Sequence, residues 1–137
     1  MKKVYVVFSL LLVMTMVLTS CLDTKDATTD VKLVTAEEMQ SILELEDVQL
    51  VDVRSSQEYE EEHIVNSQNI DFSSPTFDDD IAKLDKGKPV ILYCKGGGRS
   101  AKCAKKLKEA GFEKVYDLEG GISKWKHSDK IKIEVKS

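Results

Sequence analysis

From residue 31 onward, short apolar runs alternate with segments whose apolar residues recur at helical spacing. Runs rich in valine, isoleucine and leucine that end in polar or glycine-containing turns are typical of buried strands. Such runs predict strands at residues 31–34, 48–54, 68–70, 89–93, 115–118 and 131–135. The segments between them predict helices at residues 35–45, 55–62, 78–84, 100–110 and 122–125. Strands that alternate with helices predict an α/β domain with a mainly parallel sheet flanked by helices.

The stretch CKGGGRS, residues 94–100, follows the most apolar of these runs. In a parallel α/β sheet, ligand sites lie beyond the carboxyl ends of the strands, where Cys94 is placed. Without a Cβ atom, the glycines at 96–98 can adopt positive φ and turn their N–H groups toward one point. Ser100 would begin a helix whose first N–H groups are unpaired.

Lys95 and Arg99 add positive charge to the same loop. Cations, backbone N–H groups and a helix N-terminus all favour the thiolate, which is the reactive form of cysteine. The stretch therefore predicts an anion-binding loop with a Cys94 thiolate at its centre. The alternative is a glycine-rich connector with a buried cysteine, which requires neither the strand-end cysteine nor the arginine.

The same stretch resembles the active-site loop of single-domain rhodaneses. DVRSSQEYEEEHI (52–64), KGKPVILYC (86–94) and AGFEKVYDLEGGISKW (110–125) resemble further motifs of that family, in the family's order. The resemblance covers most of residues 31–125. One departure is Val65-Asn66-Ser67, where the family usually has Pro-Gly-Ala, which leaves the local turn in question.

The resemblance implies a three-layer rhodanese-like domain and a sulfurtransferase. Cys94 would attack the sulfane sulfur of a small donor such as thiosulfate, hold it as a persulfide, and pass it to cyanide or a thiol. A protein acceptor is compatible with this chemistry. The implied loop residues are Lys95, Gly96, Gly97, Gly98, Arg99 and Ser100. No cofactor and no metal are expected, and we assign neither His63 nor His127 as a metal ligand.

Asp52, Arg54 and Glu58 are expected to support the site rather than to take part in chemistry. The family resemblance suggests that they hold the end of a strand near the loop through hydrogen bonds and ion pairs, with Arg54 paired to Glu58.

Two other functions remain open from the sequence. The domain would serve equally as a persulfide carrier or binding module for a partner protein, without turnover. Cysteine phosphatases and arsenate reductases also combine a cysteine, a loop of N–H groups and an arginine. Their loops place five residues between cysteine and arginine, whereas four stand between Cys94 and Arg99. We expect the shorter ring to suit one sulfur atom better than a tetrahedral oxyanion.

The first 30 residues differ in character from the rest. A basic start at residues 1–3 and an apolar run at 4–18 describe a signal peptide at 1–20. Leu18-Thr19-Ser20-Cys21 resembles the lipobox of bacterial lipoproteins, in which the cysteine carries lipid. We therefore expect a flexible linker at 21–30, a domain at 31–137 and an extracytoplasmic location on a bacterial membrane. An ordinary signal peptide or an uncleaved anchor is the alternative.

The net charge and the spacing of the cysteines limit the possible partners and disulfide bonds. The formal net charge is −4, and no long basic patch is present, which argues against a nucleic-acid partner. We expect no disulfide between Cys94 and Cys103, because one would end a strand and the other would lie a turn into the next helix. Cys103 is interpreted as a small buried residue, with a resolving thiol as the alternative.

Overall fold

The computed structural model describes residues 31–136 of the chain. The strands are β1 (Lys32–Val34), β2 (Gln49–Asp52), β3 (Glu62–Ile64), β4 (Gln68–Asn69), β5 (Val90–Tyr93), β6 (Val115–Leu118) and β7 (Ile133–Val135). The helices are α1 (Ala36–Leu45), α2 (Ser56–Glu61), α3 (Phe77–Ile81), α4 (Gly98–Glu109) and α5 (Gly121–Trp125).

Five strands form one parallel sheet in the order β1-β6-β5-β2-β4. The predicted α/β class and mainly parallel sheet are therefore confirmed. β5 is the central strand, and all four of its side chains are buried. Because every strand of this sheet runs the same way, the carboxyl ends of β2, β5 and β6 meet at one edge, where Cys94 follows β5.

Side chains that alternate along the strands build two cores, one on each face of the sheet. On one face, α3 and α4 pack on strand residues that include Val51, Leu92 and Val115. On the other face, α1 and α5 pack on residues that include Leu50 and Ile91. The result is the helix–sheet–helix arrangement expected for this domain.

A second, two-stranded sheet pairs β3 with β7 in antiparallel fashion. β3 was not predicted, since a polar stretch of three residues carries almost no strand pattern. The turn after β3 is made by Asn66, which has φ 65°. Asparagine adopts this left-handed conformation more easily than most residues, so the turn forms without the family's Pro-Gly-Ala.

The structure corrects the predicted start of the helix that follows the active-site loop. α4 begins at Gly98 rather than at Ser100, because Gly97 acts as its left-handed N-cap residue. Arg99 therefore lies in the first helical turn instead of preceding the helix. None of the helices in residues 31–136 has the length and apolar character needed to traverse a bilayer. The predicted signal peptide, Cys21 and linker lie outside the described residues.

Candidate active site

Cys94 follows directly after β5, between the ends of β2 and β6. Cys94 is only 1% exposed, although it is followed directly by a loop. Two groups of that loop donate hydrogen bonds to the Sγ atom. The Gly97 N–H lies 3.1 Å from Sγ, and the Ser100 hydroxyl lies 3.4 Å from it. The loop thus folds back around the sulfur.

These donors set the ionisation of the Cys94 thiol. Burial acts to raise its pKa, because a charged thiolate is poorly solvated there. Hydrogen bonds from the Ser100 side chain and from the backbone N–H groups of Ser100, Gly97 and Gly96 act in the opposite direction. The donors prevail, and the pKa of Cys94 lies below its ordinary value. The site therefore favours a thiolate nucleophile.

The three glycines of the loop do not have equal roles. Gly97 has φ 105°, a conformation that L side chains rarely adopt. Gly96 and Gly98 have ordinary backbone angles, and a Cβ atom at either would meet nothing within 4 Å. Of the three glycines that can adopt positive φ, Gly97 is the one that does so. Only Gly97 requires it, because its turn aims the N–H at Sγ.

Arg99 is held by an ion pair with Glu58 of α2. Its Nη1 and Nη2 atoms donate to the two carboxylate oxygens at 2.7 and 3.0 Å. The bond from Arg99 lowers the pKa of Glu58 to about 2, against the effect of burial. Glu58 also accepts from the Ser55 N–H and so caps α2. The expected pairing of Arg54 with Glu58 is therefore corrected, since Glu58 binds the loop arginine instead.

Arg54 pairs with Asp52 at the end of β2. Its Nη2 atom lies 2.7 Å from the Asp52 carboxylate, and both residues are buried. The Asn69 side chain donates to the backbone oxygens of Asp52 and Arg54, which ties β4 to this strand end. Arg54 also donates to the Glu62 backbone oxygen. These contacts fix the edge of the sheet beside the loop. They supply no donor to Sγ, because the donors to that atom are Gly97 and Ser100.

Comparison with known proteins identifies this arrangement. The sequence profile described as "Rhodanese-like domain" matches residues 35–128, more than half of the chain. The chain belongs to the rhodanese-like family. Within it, the chain is similar to thiosulfate sulfurtransferase GlpE of Coxiella burnetii, with 42% identity over 80 residues, which is 58% of this chain and 73% of the relative.

Two further comparisons show how widely the domain occurs. A rhodanese-like domain protein from Staphylococcus aureus superimposes with a TM-score of 0.65 at 31% identity, covering 78% of this chain and all of that one. The tRNA uridine(34) hydroxylase of Cytophaga hutchinsonii is 40% identical over 91 residues, 64% of this chain but only 29% of the hydroxylase. A segment similar to this chain therefore also forms part of a longer protein with another name.

The two residues that follow the Gly-Gly pair (Gly120 and Gly121) hydrogen-bond the backbone of the active-site loop. The Ile122 N–H donates to the Cys94 backbone oxygen at 2.9 Å, and the Ser123 N–H donates to the Lys95 oxygen at 3.1 Å. Gly121 has φ 61°, and a Cβ atom there would lie 2.5 Å from both of these oxygens. No role for Gly121 was predicted from the sequence, although the Gly-Gly motif is visible there.

Cys103 stands apart from this chemistry. It is fully buried on α4, and both it and Cys94 are free thiols, as expected. Burial raises the pKa of Cys103 to about 12, and the charge of Asp117 acts in the same direction. His63 stacks on Tyr59, with ring centroids 3.9 Å apart, and its Nδ1 atom hydrogen-bonds the Tyr59 backbone oxygen. We therefore interpret Cys103 and His63 as structural residues.

A cleft of about 240 Å³ opens beside the loop, lined in part by Glu58, Lys95 and Lys126. A larger cavity of about 420 Å³ lies near the start of β2, around Val48. It lies at the opposite end of the strands from Cys94 and contains no nucleophile among its lining residues. Cys94 is not among the lining residues of the smaller cleft, but Lys95 of the active-site loop is, so this cleft is the better candidate for the approach of a substrate.

Proposed function

We propose that the chain is a sulfurtransferase that moves a sulfane sulfur from a donor such as thiosulfate, through a persulfide on Cys94, to a thiophilic acceptor. The observation that carries this proposal is the hydrogen bonding of the Cys94 Sγ atom by the Gly97 N–H and the Ser100 hydroxyl. These donors favour the anion that must attack, and they remain in place for the persulfide that follows.

The reaction then needs two displacements at sulfur. The Cys94 thiolate attacks the outer sulfur of thiosulfate, a new S–S bond forms, and the donor's S–S bond breaks with its electron pair leaving on sulfite. Cyanide or a thiolate next attacks the terminal sulfur of the persulfide, and the electron pair of that bond returns to Sγ. With cyanide the product is thiocyanate. A thiol already ionised by the loop needs no general base.

The shape of the site supports a donor with a terminal sulfur. Because Cys94 is nearly closed off, a donor must present a single atom to Sγ. Arg99 is committed to Glu58, whereas Lys95 is exposed and makes no ion pair among the described residues. We therefore assign to Lys95 the attraction of an anionic donor such as thiosulfate or a polysulfide. The ring of four residues between Cys94 and Arg99 leaves phosphatase or arsenate reductase activity the weaker alternative.

Mass spectrometry of the intact protein after exposure to thiosulfate is the direct test. The expected result is a gain of one sulfur atom that maps to Cys94, is removed by cyanide, and is absent in Cys94→Ser. A Cys103→Ser protein is the matched control and should gain the sulfur normally. An unchanged mass, together with hydrolysis of an aryl phosphate, would replace the proposal by the phosphatase alternative.

A persulfide carrier without turnover is the second candidate, because a similar domain forms only part of the much longer tRNA uridine(34) hydroxylase. Steady-state formation of thiocyanate from thiosulfate and cyanide distinguishes the two. Multiple turnovers per Cys94 support the enzyme. A single stoichiometric transfer, followed by no further product, supports the carrier.

We propose in addition that Cys21 carries a lipid that anchors the domain outside the cytoplasm of a bacterium. The support is the sequence Leu18-Thr19-Ser20-Cys21 after an apolar run. Cys21→Ala should accumulate as an unprocessed precursor that incorporates no labelled fatty acid. Incorporation of label by that variant would contradict the anchor.

A further inference from the structure

Asp117 is a buried acid in β6, a strand whose other residues are apolar or aromatic. It lies near the end of β6, and alternation along the strand places it on the same face as Val115, against α4. The residue is 2% exposed, and its Oδ1 atom has no hydrogen-bond partner among the described residues. A carboxyl group left in this state is unfavourable for folding, so it calls for a functional explanation.

The neighbours of Asp117 lead directly to the active-site loop. In the sheet, its register partners are Leu92 of β5 and Leu33 of β1, neither of which can ionise. From α4, the side chains that bear on the carboxyl electrostatically are Ser100 and Cys103. Ser100 is fully buried and also donates to the Cys94 Sγ atom.

Ser100 therefore has one hydroxyl proton and more than one acceptor. Its Oγ atom lies 3.4 Å from the Cys94 Sγ atom and 3.2 Å from the Gly97 backbone oxygen. The structure shows no hydrogen bond between Ser100 and Asp117, but Ser100 lowers the pKa of the Asp117 carboxyl, so the ionised carboxyl is a third acceptor that competes for the same proton. When it is protonated, the same group becomes a donor to the Ser100 Oγ atom.

We propose that Asp117 is a positioning residue that acts through Ser100, so that its protonation state decides how strongly the Ser100 hydroxyl stabilises the Cys94 thiolate. This inference rests on the proposed role of Cys94 as a thiolate nucleophile. It assigns Asp117 no contact with the donor or the acceptor.

The two states of Asp117 have opposite effects on Cys94. The ionised carboxylate draws the Ser100 proton toward itself and adds negative charge near Sγ, which disfavours a second anion. The protonated carboxyl donates to the Ser100 Oγ atom, which leaves the Ser100 proton free to bond Sγ. Only protons change place among carboxyl, hydroxyl and thiol, and no redox step is involved.

Both states are accessible near neutral pH. Burial raises the pKa of Asp117 to about 6, and Ser100 offsets part of that rise. The thiol of Cys103, the other titratable group that faces Asp117 from α4, stays neutral because its pKa is about 12. The Asp117 carboxyl is thus the group of this cluster that changes charge in the working range.

The test is the pH dependence of alkylation of Cys94 by iodoacetamide in the full chain, followed on the Cys94 peptide by mass spectrometry. We expect Asp117→Asn to lower the pKa of Cys94 by about one unit, roughly a tenfold gain in thiolate below that pKa. Asp117→Leu should act in the same direction and suits the apolar site. Cys103→Ala, at the neighbouring position on α4, is the control and should leave the Cys94 pKa unchanged.

Ser100→Ala separates action through Ser100 from a direct charge effect. This variant should raise the Cys94 pKa, and in its background Asp117→Asn should produce little further shift. An equal shift with and without Ser100 would overturn the inference, as would no shift in either Asp117 variant. Because alkylation needs no donor, a protein that shows the shifts but no thiosulfate turnover would contradict the proposed function and leave this inference standing.

Discussion

Cys94 and Cys103 lie close together in the sequence and are buried almost equally, with 1% and 0% exposure, yet their thiols are perturbed in opposite directions. The pKa of Cys94 is lowered, whereas that of Cys103 is raised to about 12. Cys94 receives hydrogen bonds from Gly97 and Ser100. Cys103 packs among apolar residues on the face of α4 that covers the sheet.

The difference shows that exposure does not identify the nucleophile in this fold. Burial acts on both thiols in the same sense and disfavours the charged form. What separates them is a turn of backbone that points donors at one sulfur and not at the other. A loop that begins where a strand ends has N–H groups free for this purpose, whereas those within a helix are already used.

The sharpest test of the comparison exchanges each sulfur for oxygen. Cys94→Ser should lose persulfide formation and thiocyanate production completely, because a serine hydroxyl stays protonated and holds no sulfane sulfur. Cys103→Ser should keep turnover. Rates with thiosulfate and cyanide, measured beside the intact masses, check both expectations. Loss of activity in the Cys103 variant with its fold intact would make that residue a resolving cysteine.

A substitution at Gly121, which contacts the backbone of the active-site loop, should have an effect nearly as large. In Gly121→Ala, the new Cβ atom would lie 2.5 Å from the backbone oxygens of Cys94 and Lys95, which cannot move independently. We expect a loss of more than about 3 kcal/mol in the free energy of unfolding, with turnover reduced as the loop shifts.

Gly111→Ala is the matched control for Gly121→Ala. It also has positive φ, 93°, but meets no atom within 4 Å, so only backbone strain of about 1–2 kcal/mol is expected. Urea denaturation of the two variants measures the difference. Equal losses would show that the contact of Gly121 with the loop has no special weight.

Within the loop, adjacent glycines give a second matched pair. Gly97→Ala should strain a residue at φ 105° and turn its N–H away from Sγ. A hydrogen bond to an anion contributes about 1.5–3 kcal/mol, so a loss of roughly tenfold to a hundredfold in kcat/KM is expected, with a higher Cys94 pKa. Gly96→Ala should keep most of the activity. Similar kinetics for the two variants would mean that the turn at Gly97 does not aim the donor.

Much of the fold could be predicted because its strands are short, buried and strongly apolar. The central strand was predicted within one residue, and β6 within its observed bounds, since both are bounded by turns rich in glycine or lysine. β3 was missed because its three residues pair only with β7, at the far end of the chain. No local pattern reports such a partner.

The site was predictable as a set of residues but not as a set of contacts. Cys94 and its loop follow from residue types and strand order, whereas the partner of Glu58 depends on how α2 lies against α4. Asp117 was not predicted as a site residue, because the sequence does not show whether an acid in an apolar strand faces a buried or an exposed side of the sheet. The signal in the sequence was that Asp117 is the one charged residue in the otherwise apolar and aromatic run Val115–Leu118.

Asp117 also links the two cysteines and should make stability depend on pH. Its pKa rises from 3.8 in the unfolded chain to about 6 in the folded protein. Its protonated form is therefore favoured by folding, and that stability is present below about pH 4 and lost as the pH rises through 6. A shift of this size corresponds to at most about 3 kcal/mol, and we expect about 2 kcal/mol.

The measurement compares the wild-type protein with Asp117→Asn by urea denaturation between about pH 3.5 and 7.5. The stability of the variant relative to the wild type should rise with pH by that amount, whatever its offset at acid pH. A constant difference would show that Asp117 titrates normally in the fold.

The smallest effect is expected at Cys103 itself. Replacing it by alanine removes one buried sulfur from the core beside Ala104 and Leu107, which leaves a small cavity. We expect a loss of about 1 kcal/mol in the free energy of unfolding and nearly full sulfurtransferase activity. Urea denaturation and thiocyanate formation measure the two quantities on one preparation. Unchanged stability would mean that the core closes over the gap. A fall in turnover larger than the fall in folded fraction would show that Cys103 affects the site through Ser100 on the same helix, and the contrast between the two thiols would then describe one coupled cluster.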